Sequence, residues 1–230
     1  MIDWHSHILP GMDDGSRDVT ESLCLINMQM AQGVRTVIAT PHFYADDETV
    51  ASFLDRRKKA FELLKTKLPA GGPDIKLGAE VRYYQGISRM ENINSLRIEG
   101  SNLLLLEMPM ISWSEYILGE LRELAGKSHI ILAHIERYMN LQSRAVLKKI
   151  SESDILMQVN AEFFISFPSR YKAISFLKKG NILLIGSDCH DINLRYPQIE
   201  KAFNVIRKKF GDDYIEQMKK YGESLLLTVI

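Results

Sequence analysis

Seven short apolar runs alternate with longer amphipathic stretches along the chain, and this alternation constrains the fold more than any other feature. Each run is short and apolar enough to be a buried parallel strand. The runs are MIDWHSH, VRTVIAT, IKLGAEV, LLLLE, HIILAHI, ILMQVNA and ILLIGSD. A strand followed by a helix, repeated without a linker or low-complexity segment, predicts one barrel-like α/β domain over residues 1–230 instead of an open sheet.

The amphipathic stretches predict six helices between these runs. Asp18 and Glu21 have the spacing of an N-terminal capping box, and Gly33 is a suitable residue to end the helix that they begin. The other helices are predicted around 47–67, 114–126, 142–151, 169–179 and 197–220, with Gly180 ending the fifth of the six. Residues 85–100 are less regular and predict a loop with a short helix.

The composition argues against several classes of protein. Lysine and arginine together number 29, as do aspartate and glutamate, so no global field favours binding to nucleic acid or to an anionic membrane. No apolar run is long enough to cross a bilayer, so we expect no membrane insertion. Two cysteines do not make a disulfide framework, which predicts a reducing, cytoplasmic location.

Histidines and carboxylates lie at the carboxyl ends of the predicted strands. They are His5, His7, His42, Glu80, Glu107, His134, Asp188 and His190. Only His129, at the start of a run, is a histidine outside this set. In barrels of βα units the carboxyl ends of the strands form the rim where catalytic groups meet, so we expect these residues in one pocket.

Histidine and carboxylate without thiolate are ligands for Mn²⁺, Fe²⁺ or Zn²⁺. His5 and His7 alternate with Ser6, so on a strand they face the same side and can bind one ion together. Asp14 follows in a glycine-rich loop and completes nine candidate ligands, too many for one ion. The set predicts two or three ions, which in such clusters bridge and acidify a water and support displacement at phosphorus. Asp13, beside Gly15, is predicted to be a solvated turn residue.

Several motifs in order along the chain resemble the PHP (polymerase and histidinol phosphatase) superfamily. They are D-x-H-x-H-x-L-P-G-x-D-D-G-S at the start, A-T-P-H at 39–42, G-A-E at 78–80, L-L-L-E at 104–107, A-H-I-E-R-Y at 133–138 and G-S-D-C-H at 186–190. More narrowly, the chain is similar to bacterial metal-dependent protein-tyrosine phosphatases of capsule and exopolysaccharide synthesis. The resemblance implies a distorted seven-stranded (β/α)7 barrel and three metal ions, usually manganese. It also implies hydrolysis of phosphotyrosine on a partner tyrosine kinase.

The same resemblance implies roles for individual residues. The first ion would be held by His5, His7, Glu80 and Asp188, the second by Asp14, His42 and His190, and the third by Glu80, Glu107 and His134, with Glu80 bridging. Arg137 and Arg195 would reach the phosphate, because a guanidinium fork matches phosphate oxygens. His190 is a candidate general acid, and Phe43 and Tyr44 are candidates to line the tyrosyl ring.

Four alternatives remain open at this point. Cys189 and Arg195 have the C-x₅-R spacing of thiol-dependent tyrosine phosphatases, although the residues between them include no glycine to turn amides toward a phosphate. The same metal site could act on a small phosphate monoester such as histidinol phosphate. A third alternative is a catalytically silent metal-binding protein. The fourth concerns assembly, since the apolar end at residues 225–230 can pack on its own domain or on a second subunit.

Overall fold

Parallel strands and helices alternate along the part of the chain that the computed structural model describes, residues 1–167, 169–179 and 183–227. The strands are β1 (Ile2–Ser6), β2 (Thr36–Ala39), β3 (His42–Phe43), β4 (Asp74–Leu77), β5 (Glu80–Arg82), β6 (Leu103–Glu107), β7 (His129–Leu132), β8 (Leu156–Asn160) and β9 (Leu183–Gly186). The helices are α1 (Val19–Ala31), α2 (Val50–Lys65), α3 (Glu115–Ala125), α4 (Arg144–Ser151), α5 (Glu162–Ile165), α6 (Ser169–Lys178), α7 (Ile199–Phe210) and α8 (Asp212–Leu226). Every pair of neighbouring strands is parallel, which confirms the α/β class.

The strands form two sheets, with the orders β1-β2-β4 and β3-β5-β6-β7-β8-β9, so the closed seven-stranded barrel is not confirmed. All seven predicted runs contain strands, but VRTVIAT and IKLGAEV belong to segments that pass from one sheet to the other. The first segment breaks around Pro41, which has no N–H group for a sheet ladder. The second breaks at Gly78 and Ala79, where a Cβ atom on Gly78 would lie only 3.2 Å from the Ile98 side chain.

Backbone hydrogen bonds connect the end of β1 to the segment after β9 on one side and to the segment after β2 on the other. His7 N donates to Cys189 O at 3.0 Å, and Asp188 N donates to His5 O at 2.8 Å. Thr40 N donates to Ser6 O at 2.9 Å on the other side. The residues that follow β1, β2 and β9 are therefore held beside one another, which places their polar side chains at a common edge.

Most of the observed helices lie where the sequence analysis predicts them, and two regions differ from the prediction. Asp18 caps α1 by accepting from Glu21 N at 2.9 Å, as predicted. The single helix predicted at 197–220 is wrong, because Gly211, with a φ of 86°, separates α7 from α8, and α8 continues to Leu226. The short helix α5 was not predicted, and residues 85–100 contain two 3-10 helices, Ile87–Arg89 and Ile93–Leu96. Gly180 lies outside the described residues.

Two clusters of buried apolar side chains form the core. The smaller cluster joins Ile2 and Trp4 of β1 to inward residues of β6, β7 and β9, and Leu225 and Leu226 of α8 complete it. The apolar end therefore packs on its own chain as far as Leu226, whereas the side chain of Leu227 is exposed and residues 228–230 lie outside the described part. Within the described residues, no helix is long and apolar enough to span a membrane.

Candidate metal centre

The two histidines at the end of β1 lie side by side and are fully buried. Their Nε2 atoms are 3.0 Å apart, and each lies close to Glu80 Oε2, at 3.1 Å from His5 and 3.3 Å from His7. The register of β1 against β2 shifts between Asp3 and Ser6. Successive side chains of a strand point to opposite faces, so Ile2 and Trp4 pack in the apolar cluster, whereas His5 and the following His7 face a polar centre.

Glu80, the first residue of β5, stands at the middle of this centre. Besides His5 and His7, its carboxylate contacts His42 Nδ1 at 3.0 Å and His134 Nε2 at 2.8 Å. Burial acts to raise the pKa of Glu80, but the surrounding His5, His134 and His42 lower it well below its usual range. Glu80 is therefore ionised, and one carboxylate within reach of four imidazoles suits a bridging ligand.

The structure brings all nine predicted ligands to this edge. Three groups have donor atoms within 4.8 Å of one another: His7, Asp14, His42 and His190; His5, His7 and Glu80; and His42, Glu80 and Glu107. The other two candidates adjoin these groups, with Asp188 Oδ1 3.4 Å from His7 Nε2 and His134 Nε2 3.7 Å from Glu107 Oε1. These groups share residues differently from the three sets that the resemblance implies, so the assignment of ligands to individual ions stays a prediction.

Two buried nitrogen atoms show that the centre fits divalent cations. His190 Nε2 has no hydrogen-bond partner and faces Asp14 Oδ1 at 3.4 Å. His42 Nδ1 is also buried without a hydrogen bond, although Glu80 Oε2 is only 3.0 Å away. Leaving buried polar atoms unpaired is costly, so they need another partner. Imidazole nitrogens beside carboxylate oxygens form a donor set that Mn²⁺, Fe²⁺ or Zn²⁺ accepts.

The ring nitrogens on the outer side of four histidines contact fixed partners. These contacts are His5 Nδ1 with Gln158 Oε1 at 3.2 Å, His7 Nδ1 with Asp13 Oδ2 at 2.7 Å, His134 Nδ1 with the Tyr138 hydroxyl at 3.3 Å, and His190 Nδ1 with Asp188 O at 2.9 Å. Each contact turns the Nε2 atom of its ring toward the centre, as is typical of metal-binding histidines. Sequence reasoning missed Gln158 and Tyr138. Gln158 had a detectable signal, because it is a polar residue within the apolar run ILMQVNA.

Asp13 is one of these partners, so its prediction as a solvated turn residue is wrong. Its side chain is only 6% exposed. It accepts hydrogen bonds from His42 N at 2.8 Å and Gly15 N at 3.0 Å while contacting His7. Burial acts to raise the pKa of Asp13, but His7 and the two backbone amides lower it far below its usual value. Asp13 therefore fixes two candidate ligands, His7 directly after β1 and His42 on β3, and these two strands belong to different sheets.

The environment of His190 suits a metal ligand and argues against the predicted general acid. Burial and the nearby His7 lower the pKa of His190 to about 4, so the ring is neutral near pH 7. Its Nδ1 lies 2.9 Å from a carbonyl oxygen, which only accepts, so the proton of the neutral ring is on Nδ1. The Nε2 atom then carries a lone pair and has no proton to donate.

Arg137 and Arg195 flank the centre from opposite loops. Both guanidinium groups contact Asp188 Oδ2, at 2.6 Å and 3.0 Å, and their side chains remain 39% and 42% exposed. Together with Asp188 they line a small cavity of about 90 Å³. Two partly exposed cations beside the carboxylates can accept an anionic group from solvent.

The two aromatic residues after His42 lie in different environments. Phe43 is buried and packs against Phe53 with ring centres 5.2 Å apart, so the prediction that it lines a substrate is wrong. Its side chain alternates with that of His42 on β3 and turns into the core. Tyr44 stacks on His42 with centres 5.2 Å apart, and it lines a cavity of about 290 Å³ with Asp14 and His42.

Cys189 does not have the environment of a nucleophile. Its side chain is completely buried, and Gln29 Nε2 lies 3.8 Å from its sulfur atom. Burial, with the nearby Asp3, raises the pKa of the thiol to about 12. A reactive cysteine needs an accessible thiolate, so the thiol-dependent alternative is contradicted.

Comparisons with known proteins agree with this arrangement. YwqE of Bacillus subtilis, a tyrosine-protein phosphatase, is 28% identical over 98% of this chain and 91% of its own length. The tyrosine-protein phosphatase CpsB of Streptococcus pneumoniae is 29% identical over 92% of this chain and 91% of its own length. A crystal structure from work on YwqE and CpsB, described there as metal-dependent tyrosine phosphatases, superposes with a TM-score of 0.82 at 24% identity, covering 100% of this chain and 96% of the other. The model of the capsular polysaccharide synthesis family CpsB/CapC matches residues 1–227. The chain therefore belongs to the CpsB/CapC family.

Proposed function

We propose that this protein is a metal-dependent protein-tyrosine phosphatase that acts in capsular polysaccharide synthesis. The observation that carries the proposal is the single polar centre in which histidines and carboxylates from both sheets meet beside two arginines. The names of the CpsB and YwqE relatives support phosphotyrosine as the substrate.

Three divalent ions, with Mn²⁺ preferred and Fe²⁺ or Zn²⁺ as alternatives, would be held by the nine ligands. They are His5, His7, Asp14, His42, Glu80, Glu107, His134, Asp188 and His190. When bound, such ions acidify a water molecule and neutralise charge on the phosphoryl group. The proposal of three ions rests on the number of donors, since three groups of them are present among the described residues.

The protein's own residues position the substrate. Arg137 and Arg195 bind the phosphoryl oxygens and stabilise the charge that grows on them during transfer. Tyr44 lies beside His42 and lines the neighbouring cavity, where it can contact the aromatic ring of the substrate. A tyrosyl leaving group, with a pKa of about 10, departs more easily than an alkoxide and needs less help from a general acid.

The substrate partner we propose is a tyrosine-phosphorylated kinase of the capsule or exopolysaccharide pathway. A cytoplasmic location and the absence of nucleic-acid partners stay predictions from composition. We further propose that residues 1–230 form one domain in which the two sheets are parts of a distorted barrel. The hydrogen bonds from His7 and Asp188 across β1 and β9 support this.

The test is to remove metal with a chelator, restore Mn²⁺, and measure turnover of three phosphate esters. They are a phosphotyrosyl peptide, a phosphoseryl peptide and histidinol phosphate. We expect turnover to return with Mn²⁺ and to favour the phosphotyrosyl peptide. Glu80→Gln should abolish it, whereas Glu91→Gln, at an exposed position, should not. Equal or better turnover of histidinol phosphate would support the small-substrate alternative, and metal binding without any turnover would support a silent metal-binding protein.

A further inference from the structure

The loop that follows the metal-ligand candidate His190 exposes an apolar side chain beside the centre. Leu194 is 88% exposed and Ile192 is 39% exposed, although most large apolar side chains of the described residues are buried. Leu194 also lines the small cavity formed by Arg137, Asp188 and Arg195. A single exposed leucine is ordinary on a protein surface. Leu194 differs in its position, because it lies at the edge of the candidate active site, where a bound substrate can contact it.

Hydrogen bonds within the loop fix its backbone conformation. His190 N donates to Arg195 O at 2.9 Å, which joins the two ends. Asp191 Oδ1 accepts from Asn193 N and Leu194 N, both at 2.6 Å, and Asp191 Oδ2 accepts from Arg195 N at 3.2 Å. These hydrogen bonds fix the backbone of Leu194, and its side chain points into solvent. A preorganised apolar group loses little conformational entropy when it binds.

Other loops that follow the carboxyl ends of strands also carry exposed apolar side chains. The exposed ones are Met110, Ile111, Leu141 and Phe167. The loops after β6 and β7 are tied together through Gln142, which accepts from Trp113 N at 2.9 Å and donates to Ile111 O at 2.7 Å. The cavity beside the centre therefore combines two cationic groups for a phosphoryl group with the apolar side chain of Leu194 at its edge. That combination suits a phosphorylated polypeptide better than a small polar ester.

We propose that Leu194, supported by Ile192, is a docking residue for an apolar side chain next to the phosphotyrosine of a protein substrate. This inference rests on the proposed phosphatase function and extends it to the sequence around the phosphotyrosine. Arg137 and Arg195 hold the phosphoryl group, and the neighbouring residue of the polypeptide packs on Leu194. Free phosphotyrosine has no such side chain and does not use this contact.

The experiment compares two short phosphotyrosyl peptides and free phosphotyrosine in the Mn²⁺-loaded protein. One peptide has leucines on both sides of the phosphotyrosine, and the other has serines there. We expect the leucine peptide to have a kcat/KM about tenfold above that of the serine peptide, the size of effect that one buried leucine supports. In Leu194→Ser this preference should fall to less than about twofold, mainly through KM. Leu194→Met should restore most of it.

The matched control is Leu63→Ser, which removes a leucine that is 62% exposed on α2, a helix that contributes no residue to the centre. It should keep the full peptide preference. Equal turnover of both peptides by the unaltered protein, or an unchanged preference in Leu194→Ser, would overturn the proposal. So would an equal loss on free phosphotyrosine, because Leu194 would then support the centre itself. If none of the three phosphotyrosyl compounds is hydrolysed, the proposed function fails instead.

Discussion

The neighbouring carboxylates Asp13 and Asp14 have different surroundings and different predicted roles. Asp14 is exposed and faces His42 and His190, at 3.5 Å and 3.4 Å, where it can bind an ion. Asp13 is buried and binds the outer nitrogen of His7 and the backbone of His42. The tight turn at Gly15, where an added Cβ atom would lie 2.4 Å from His7 Cβ, holds this segment against His7. The two adjacent aspartates therefore contact different partners.

Asp13→Asn should weaken metal binding without removing a ligand. An amide accepts more weakly than a carboxylate and holds the His7 ring less firmly, and loss of such outer contacts typically lowers metal affinity by about 10–100-fold. Calorimetric titration with Mn²⁺ measures the change. Asp154→Asn, at an exposed carboxylate, is the control. An affinity for Mn²⁺ equal to that of the unaltered protein would show that Asp13 does not position His7.

Cys189→Ser should retain most phosphatase activity. The thiol is buried with a raised pKa, so it supplies no nucleophile, and a serine hydroxyl can accept the contact from Gln29. The measurement is turnover of a phosphotyrosyl peptide before and after chelation, with thermal unfolding to verify the fold. Activity that survives chelation and disappears in the variant would contradict the metal mechanism.

The strands β1 and β9 approach each other so closely that only glycine fits at the last position of β9. A Cβ atom on Gly186 would lie 2.6 Å from His5 Cβ and 2.7 Å from Gln158 Nε2. Gly186 is the last residue of β9, and its absent side chain leaves room for the contact between His5 and Gln158. Strand packing thus sets the position of a ligand.

Gly186→Ala should therefore destabilise the protein by about 1–3 kcal/mol, the usual cost of overpacking a core, and should displace His5. Urea unfolding and Mn²⁺ titration report the two effects. Gly119→Ala is the matched control, because Gly119 lies within α3 with no atom within 4 Å of the added Cβ. It should stabilise by about 0.5–1 kcal/mol, as alanine does in a helix. Similar stability in both variants would show that the close approach has no energetic importance.

The candidate metal centre lies between the two sheets and contains residues from both. The candidate ligands come from β1, β3, β5 and β6 and from the residues after β1, β7 and β9. An ion that binds only the folded chain stabilises it by about 2.7 kcal/mol at a hundredfold excess over its Kd. For a chain of this size that is a rise in Tm of roughly 5–10 °C. Calorimetry with Mn²⁺ should show this rise, and Glu80→Gln should abolish it.

The rise in Tm should become smaller as the pH falls. Burial acts to lower the pKa of His5 and His7, but Glu80, Asp188 and Asp13 around them raise it overall in the metal-free protein. Protonated His5 and His7 stabilise the metal-free fold below the unfolded pKa of about 6.5, and this contribution disappears as the pH rises through the raised folded values. Cations must displace those protons, so their contribution is largest at high pH. A rise in Tm that is independent of pH would contradict this competition.

The α/β class and the capping of α1 could be predicted from the sequence and are confirmed, because strand periodicity and cap spacing are local properties. The nine candidate ligands were also predicted from their positions in the sequence, and their binding of ions stays a prediction. The passage of the chain from one sheet to the other after β2 and after β4 was not predicted, because it depends on which sheet each segment can join. The division of the last helix at Gly211 was not predicted either. The burial of Phe43 and the contacts of Asp13, Gln158 and Tyr138 with the candidate ligands are seen only in the three-dimensional structure. Gln158 is 153 residues away from His5 in sequence, so only the packing of the strands brings the two together. Asp13 and Tyr138 are 6 and 4 residues away from the histidines that they contact, but their contacts depend on how each loop folds and is buried.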